Sequence, residues 1–169
     1  MRWGLIPSWA KDPAIGNQLI NARAETVATK PAFRVPLRER RCLIVTDGFY
    51  EWESRGRRKR PWCIRMADGR PFAFAGLWER WADPGKRVIE SCTIITTTPN
   101  EIIGRFHHRM PVVLPPSDYD HWLDPQIHDV ERLLPLLAPY PGTEMIAYPV
   151  LPIVNNPAND FPACLSPVG

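Results

Sequence analysis

Proline occupies 20 of the 169 positions, about twice the usual share. The prolines are scattered through stretches such as "LPPSDYD", "APYPGTE" and "NPAND" and follow no period. Each lacks a backbone N–H and has a fixed φ, so it tends to interrupt regular structure where it falls. Many short elements joined by shaped loops are expected. No repeat, low-complexity tract or boundary divides the chain, so residues 1–169 are expected to form one domain.

An apolar share of 44% is enough for a core. No apolar run approaches the roughly 20 residues of a bilayer span, so no membrane partner is expected. The opening "MRWGLIPSWAKD" lacks the apolar segment and cleavage site of a secretory leader, and a cytoplasmic protein is the expectation. Cys42, Cys63, Cys92 and Cys164 form no CxxC pair, which argues against a zinc ribbon. The first three lie in apolar, strand-like segments and are expected to be buried, inert thiols. A net charge of +3 permits a polyanionic partner without requiring one.

Strand signals dominate. "RRCLIVTDGFYEWE" reads as a buried strand, an Asp-Gly break and a second strand. "PWCIRMADGRPFAFAGLWE" holds two apolar runs around Asp68-Gly69, which predicts a hairpin there. "VIESCTIITTT" and "EMIAYPV" are further strands, and Asn100 to Phe106 suits a short helix. "SDYDHWL" predicts a helix capped by Ser117. "PQIHDVERLLPLL" places Ile127, Val130, Leu133, Leu134 and Leu137 on one helical face, ended or kinked by Pro135. The expected class is α+β, mainly antiparallel β, with a barrel-like sheet and a few short helices.

Four motifs carry candidate chemistry. In "INARAET", Asn21, Arg23 and Glu25 alternate with apolar residues and would share one face of an extended segment. An exposed edge explains this, as does a site that holds a carbonyl and a phosphate. In "DGFYEWE", Glu51 sits between Tyr50 and Trp52, where poor solvation would raise its pKa toward the range of a general acid or base. A strand-end glutamate with its head in water is the plainer alternative. In "GRFHHRMPVVL", strand alternation predicts that His107 and His108 point to opposite faces. They would then not share a metal, and Arg109 would lie on the side of His107. Lastly, "SRGRRKRP" gathers Arg55, Arg57, Arg58, Lys59 and Arg60 in an expected hairpin loop, and "RWGLIPSWAK" offers Trp3 and Trp9. These are either solvated loops or a surface for single-stranded nucleic acid, where phosphates need cations and bases need rings.

"RWGLIPSW", "NARAET", "DGFYEW", "HHRMPVVL" and "VNNPAND", in this order, resemble the SOS response-associated peptidase (SRAP) family of abasic-site-processing proteins. The resemblance covers nearly the whole chain. It implies a β-barrel-like α+β domain with a basic groove for single-stranded DNA, needing no metal or cofactor. Family members are expected to bond covalently to abasic sites. A cysteine after the initiator Met attacks the ring-opened sugar aldehyde with its amine and thiol, giving a thiazolidine. An α-amine titrates near about 7.7 to 8.0, so part of it is neutral and nucleophilic near pH 7. The resemblance makes Asn21, Glu51 and His107 catalytic: Asn21 holds the nucleophile, Glu51 serves the amine and His107 the sugar. Arg23 and Arg109 would meet phosphates, Trp3 and Trp9 would support bases, and His108 would be structural. The peptidase wording implies proteolytic self-processing.

The family's opening Met-Cys-Gly-Arg and the several dozen residues before "RWGLIPSW" have no counterpart here. The expectation is a monomeric SRAP domain lacking its N-terminal segment and its nucleophile. Two alternatives stay open: a non-covalent single-stranded DNA-binding module, and a peptide hydrolase using Glu51 and His107.

Overall fold

The computed structural model describes residues 1–56, 58–83, 85 and 87–168. Arg57 of the basic stretch lies outside the described residues. In chain order the elements are β1 (Arg2–Trp3), β2 (Asn21–Arg23), α1 (Arg34–Glu39), β3 (Arg41–Thr46), β4 (Phe49–Arg55) and β5 (Arg58–Met66). There follow β6 (Phe72–Ala82), β7 (Val88–Thr97), β8 (Met110–Pro111), β9 (Val113–Leu114), α2 (Tyr119–Leu123) and β10 (Met145–Pro149), with 3-10 turns between them. Among these residues no helix is long and apolar enough to cross a membrane.

The sheets stay open, which corrects the barrel expectation. One has seven strands built on β3, β6 and β7; the other pairs β4, β5 and β10 antiparallel. Strands β3 and β4 are consecutive yet belong to different sheets, so no continuous ladder forms to close on itself. The hairpin expected at Asp68-Gly69 is a turn only. Gly69 adopts φ 76° and donates to the Met66 carbonyl at 3.0 Å, but β5 already has β4 on one edge and β10 on the other. Turn chemistry is local and says nothing about which strand the chain meets next. The β4–β5 hairpin does form, with Arg55 opposite Arg58, so the basic stretch is strand more than loop.

Alternation along β6 sets two cores. Phe72 and Phe74 pack with Ile64, Met66, Met110 and Met145 between the sheets. Ala75 and Leu77 face the other way, onto Leu37, Trp122, Leu133 and Leu137. The predicted helix over "PQIHDVERLLPLL" is two 3-10 pieces, Val130–Arg132 and Leu134–Leu137. Ile127, Leu133 and Leu137 are buried all the same. Apolar spacing found the core, while Pro135 denied the regular helix. Nor does Ser117 cap α2: the cap position is Asp118, without a side-chain bond.

Strands β6 and β7 pair from Ala82–Val88 to Gly76–Ile94 and then diverge. The segment 110–114 fills that fork. Met110 and Pro111 pair with Thr97 and Thr96 of β7, and Val113 and Leu114 with Phe74 and Ala73 of β6. At the crotch Val112 donates to Ile95 at 2.8 Å and accepts from Ala75 at 2.9 Å. The Val-Val-Leu stretch is thus a wedge bonded to two strands.

Arg41, 8% exposed, ties both helices to this frame. Its guanidinium donates to the Leu37 and Arg38 carbonyls at the end of α1 and to the Trp122 and Asp124 carbonyls at the end of α2. Carbonyls at helix ends lack partners within the helix, and a cation suits the negative pole. Arg41→Met would leave four acceptors without this donor and is expected to lower stability by about 3 kcal/mol. Urea denaturation measures it; a loss under about 0.5 kcal/mol, the range of ordinary surface substitutions, would contradict the account.

Candidate functional site

Strand β2, the start of β4 and the bend before β8 surround a cleft of about 400 Å³. Asn21, Arg23, Glu51, His107, Arg109 and Trp3 all line it. These are six of the seven residues singled out in the sequence. The seventh, Trp9, lines a separate hollow with Pro31, Arg34 and Glu79. It is exposed there and stays out of the cleft.

Each side chain has a local reason to be there. In β2, Ala22 is fully buried while Asn21 and Arg23 are exposed, the period-two pattern read from "INARAET". The strand ends at Arg23, so Glu25 belongs to the following turn. Trp3 is 57% exposed, yet its indole N–H donates to the Ile20 carbonyl at 2.8 Å, which holds the ring at the rim. The chain behind it approaches so closely that a Cβ on Gly4, where φ is 109°, would lie 2.5 Å from the Gly16 oxygen. Glycine is required at that turn.

Glu51 stands opposite Trp62 on β5. Burial pushes its pKa up, and the nearby His107 pulls partly the other way. The direction is the one expected from the sequence. The Trp52 indole turns away and donates to Asn155, whereas Tyr50, whose hydroxyl donates to the Cys164 carbonyl, still lines the cleft. The cleft wall, Tyr50 included, desolvates the carboxyl.

The expected division between the histidines is corrected. Residues 107–109 form a bend outside any strand, so alternation does not apply. The two rings stack with centroids 4.4 Å apart, and both line the cleft. Among the described residues no group of three or more His, Cys, Asp or Glu side chains is arranged to hold a metal ion. His107 Nδ1 lies 3.1 Å from the Arg109 amide N–H and 3.0 Å from the Arg109 carbonyl. Neutral, it accepts from the first; protonated, it donates to the second. Nδ1 therefore has a backbone partner in both states.

Arg109 is already engaged. Its guanidinium meets both Glu25 oxygens, at 2.6 and 2.9 Å, and donates to the Thr96 carbonyl at 2.5 Å. That forked bond holds the Glu25 carboxyl below its ordinary range. Sequence reasoning extended the alternation to Glu25, which lies past the strand, and missed its pairing with Arg109, a contact across 84 positions. Arg23 stays exposed beside it. The cysteines are free thiols; burial pushes Cys42 up to about 12 and raises Cys63 and Cys92. None of these three is a ready thiolate.

What the arrangement offers is a desolvated carboxyl beside an imidazole, an amide at Asn21 and an exposed cation at Arg23. Because Glu51 titrates above its ordinary 4.5, folding favours its neutral form. The resulting stabilisation is complete below that value and is lost as pH rises through the folded pKa. Glu51→Gln, neutral throughout, is expected to be more stable than the parent at neutral pH, with the gap closing below about pH 4. Urea midpoints at the two pH values check this; a variant less stable than the parent at neutral pH contradicts it.

The sequence matches the family described as SOS response associated peptidase (SRAP) over residues 1–157. It is 48% identical over 163 residues to the abasic site processing protein YoqW of Bacillus subtilis, spanning 96% of this chain and 73% of that one. The abasic site processing protein HMCES of Gallus gallus is 34% identical, and the match covers 99% of this chain and 56% of HMCES. A crystal structure of a protein from Bacteroides thetaiotaomicron superposes with TM-score 0.92 at 32% identity, covering 98% of this chain and 75% of that one.

Proposed function

Since the chain belongs to the SOS response-associated peptidase family, we propose that it processes abasic sites in single-stranded DNA through the cleft around Glu51 and His107. The observation that carries the reading is that these two residues, 56 positions apart by number, share one cleft and interact electrostatically. Relatives named for abasic site processing support the substrate.

The chemistry needs an amine, a thiol and two sites of proton transfer. The amine adds to the open sugar aldehyde, water leaves, and the thiol closes on the imine carbon to give a thiazolidine. His107 carries the proton of the sugar hydroxyl to the ring oxygen as the ring opens, and the desolvated Glu51 carboxyl gives a proton to the departing oxygen and regains one from the amine. Asn21 orients the attacking group by hydrogen bonds, and Arg23 meets a neighbouring phosphate. Trp3 gives the adjacent base a ring to stack on. The reading assigns attack to an N-terminal cysteine. None of the four cysteines here can replace it, because each is internal and has no α-amine.

A version preceded by the family's Met-Cys-Gly-Arg segment is expected to form a heat-stable adduct with abasic single-stranded DNA on a denaturing gel. The residues 1–169 alone are expected to give none. Glu51→Gln and His107→Ala should each slow adduct formation by about 100-fold, the lower end of general acid–base contributions. Unchanged rates in both variants would overturn the assignment. The exposed Arg23 and Trp3 favour a second reading for residues 1–169 by themselves, reversible DNA binding. It predicts retention on DNA that weakens as salt rises.

A further inference from the structure

The basic stretch read in "SRGRRKRP" takes no part in the cleft chemistry, yet it is the continuation of the same sheet face. Cross-strand partners share a face, so Glu51 and Trp62 point together, as do Glu53 and Arg60 one step farther out. The bond from the Trp62 indole to Glu53, 3.1 Å, runs along that face. Strand β10 pairs with β5 only from Trp62 to Met66. Beyond Trp62 the β4–β5 hairpin extends as a two-stranded arm, with exposed Arg58 near its tip.

Trp62 is the hub of a stack at the base of this arm. The guanidinium carbon of Arg60 lies 5.8 Å from its ring centroid, and that of Arg105 5.4 Å. Arg105 also lies 5.4 Å from the Phe106 ring, which itself stands 5.2 Å from Trp62. Phe106 directly precedes His107, so the stack borders the cleft. The rings are occupied by cations rather than left open for bases. Among the described residues the side chains of Arg60 and Arg105 donate no hydrogen bond, so their N–H edges stay available. Arg58 and Arg60 stand about 6.7 Å apart along one strand face, comparable with the step between phosphates of an extended single strand.

Building on the function proposed above, we propose that this arm is a phosphate track. Arg58, Arg60 and Arg105, the last two held by Trp62 and Phe106, bind the backbone of the DNA strand on one side of the abasic nucleotide. Stacking preorganises the guanidiniums and leaves their donors facing outward, which suits charge recognition without base preference. Strand polarity makes the track one-sided: it serves either the 5′ or the 3′ flank.

The test uses two oligonucleotides carrying a non-reactive tetrahydrofuran abasic analogue, one with its tail only 5′ and the other only 3′ of the lesion. Affinity is measured by fluorescence anisotropy across a salt series, for the parent and for Arg60→Gln/Arg105→Gln. The double variant is expected to bind one oligonucleotide more weakly, with the log–log salt slope shallower by about 0.7 for each lost contact. The other oligonucleotide should bind as before, and Arg60→Lys/Arg105→Lys should restore most of the slope. Parent binding with slopes unchanged in the Gln pair, or reduced equally for both tails, overturns the track and leaves the cleft reading standing. Failure of the parent to bind either oligonucleotide overturns both.

Discussion

The fork between β6 and β7 is the constraint on which the site depends. Two long antiparallel strands part after Gly76 and Ile94, and their unpaired backbone groups need partners in a buried place. Segment 110–114 supplies them on both sides, with Val112 bonded to each strand. Filling the fork fixes where this segment enters, and its entrance is the bend carrying His107, His108 and Arg109. Pro111 fits because its pairing in β8 lasts only two residues. The histidines are therefore positioned by the need to satisfy a diverging sheet.

Electrostatics within the cleft follows from that placement. Glu51 comes from the second sheet and His107 from the fork, so the cleft exists only where the two sheets meet. Burial favours the neutral carboxyl and the imidazole resists it. Nearby, Glu25 and Thr96 hold Arg109 by several charge-assisted bonds. Two cations near one cleft thus differ: Arg109 ties the bend to β7 and to the turn after β2, whereas Arg23 is exposed. The C-terminal segment takes part too, receiving the hydroxyl of Tyr50 and the indole of Trp52.

Much of this was legible because it is local. The alternation Asn21-Ala22-Arg23, the strands of "RRCLIVT", "VIESCTIITT" and "EMIAYPV", and the buried Ile127, Leu133 and Leu137 follow from spacing alone. Family resemblance brought Asn21, Glu51 and His107 together before any distance was known. Errors came where a local rule was carried past its reach. The Asp68-Gly69 turn was right and its hairpin wrong, because β5 had found partners elsewhere. Opposite faces for His107 and His108 assumed a strand that begins only at Met110. Trp9, six residues from Trp3, was grouped with it by proximity along the chain and lies in another hollow.

The amino-acid order alone determined the repertoire: loops shaped by scattered proline, apolar positions for two cores, and the alternation that exposes Asn21 and Arg23. Such properties depend on neighbours a few residues away, and the chain states them directly. Only the tertiary structure decided which strands share a sheet, that both sheets stay open, that both imidazoles enter the cleft, and that Arg109 is spoken for by Glu25. Those outcomes turn on contacts between residues dozens of positions apart, where competing partners are chosen by the packing of the whole molecule.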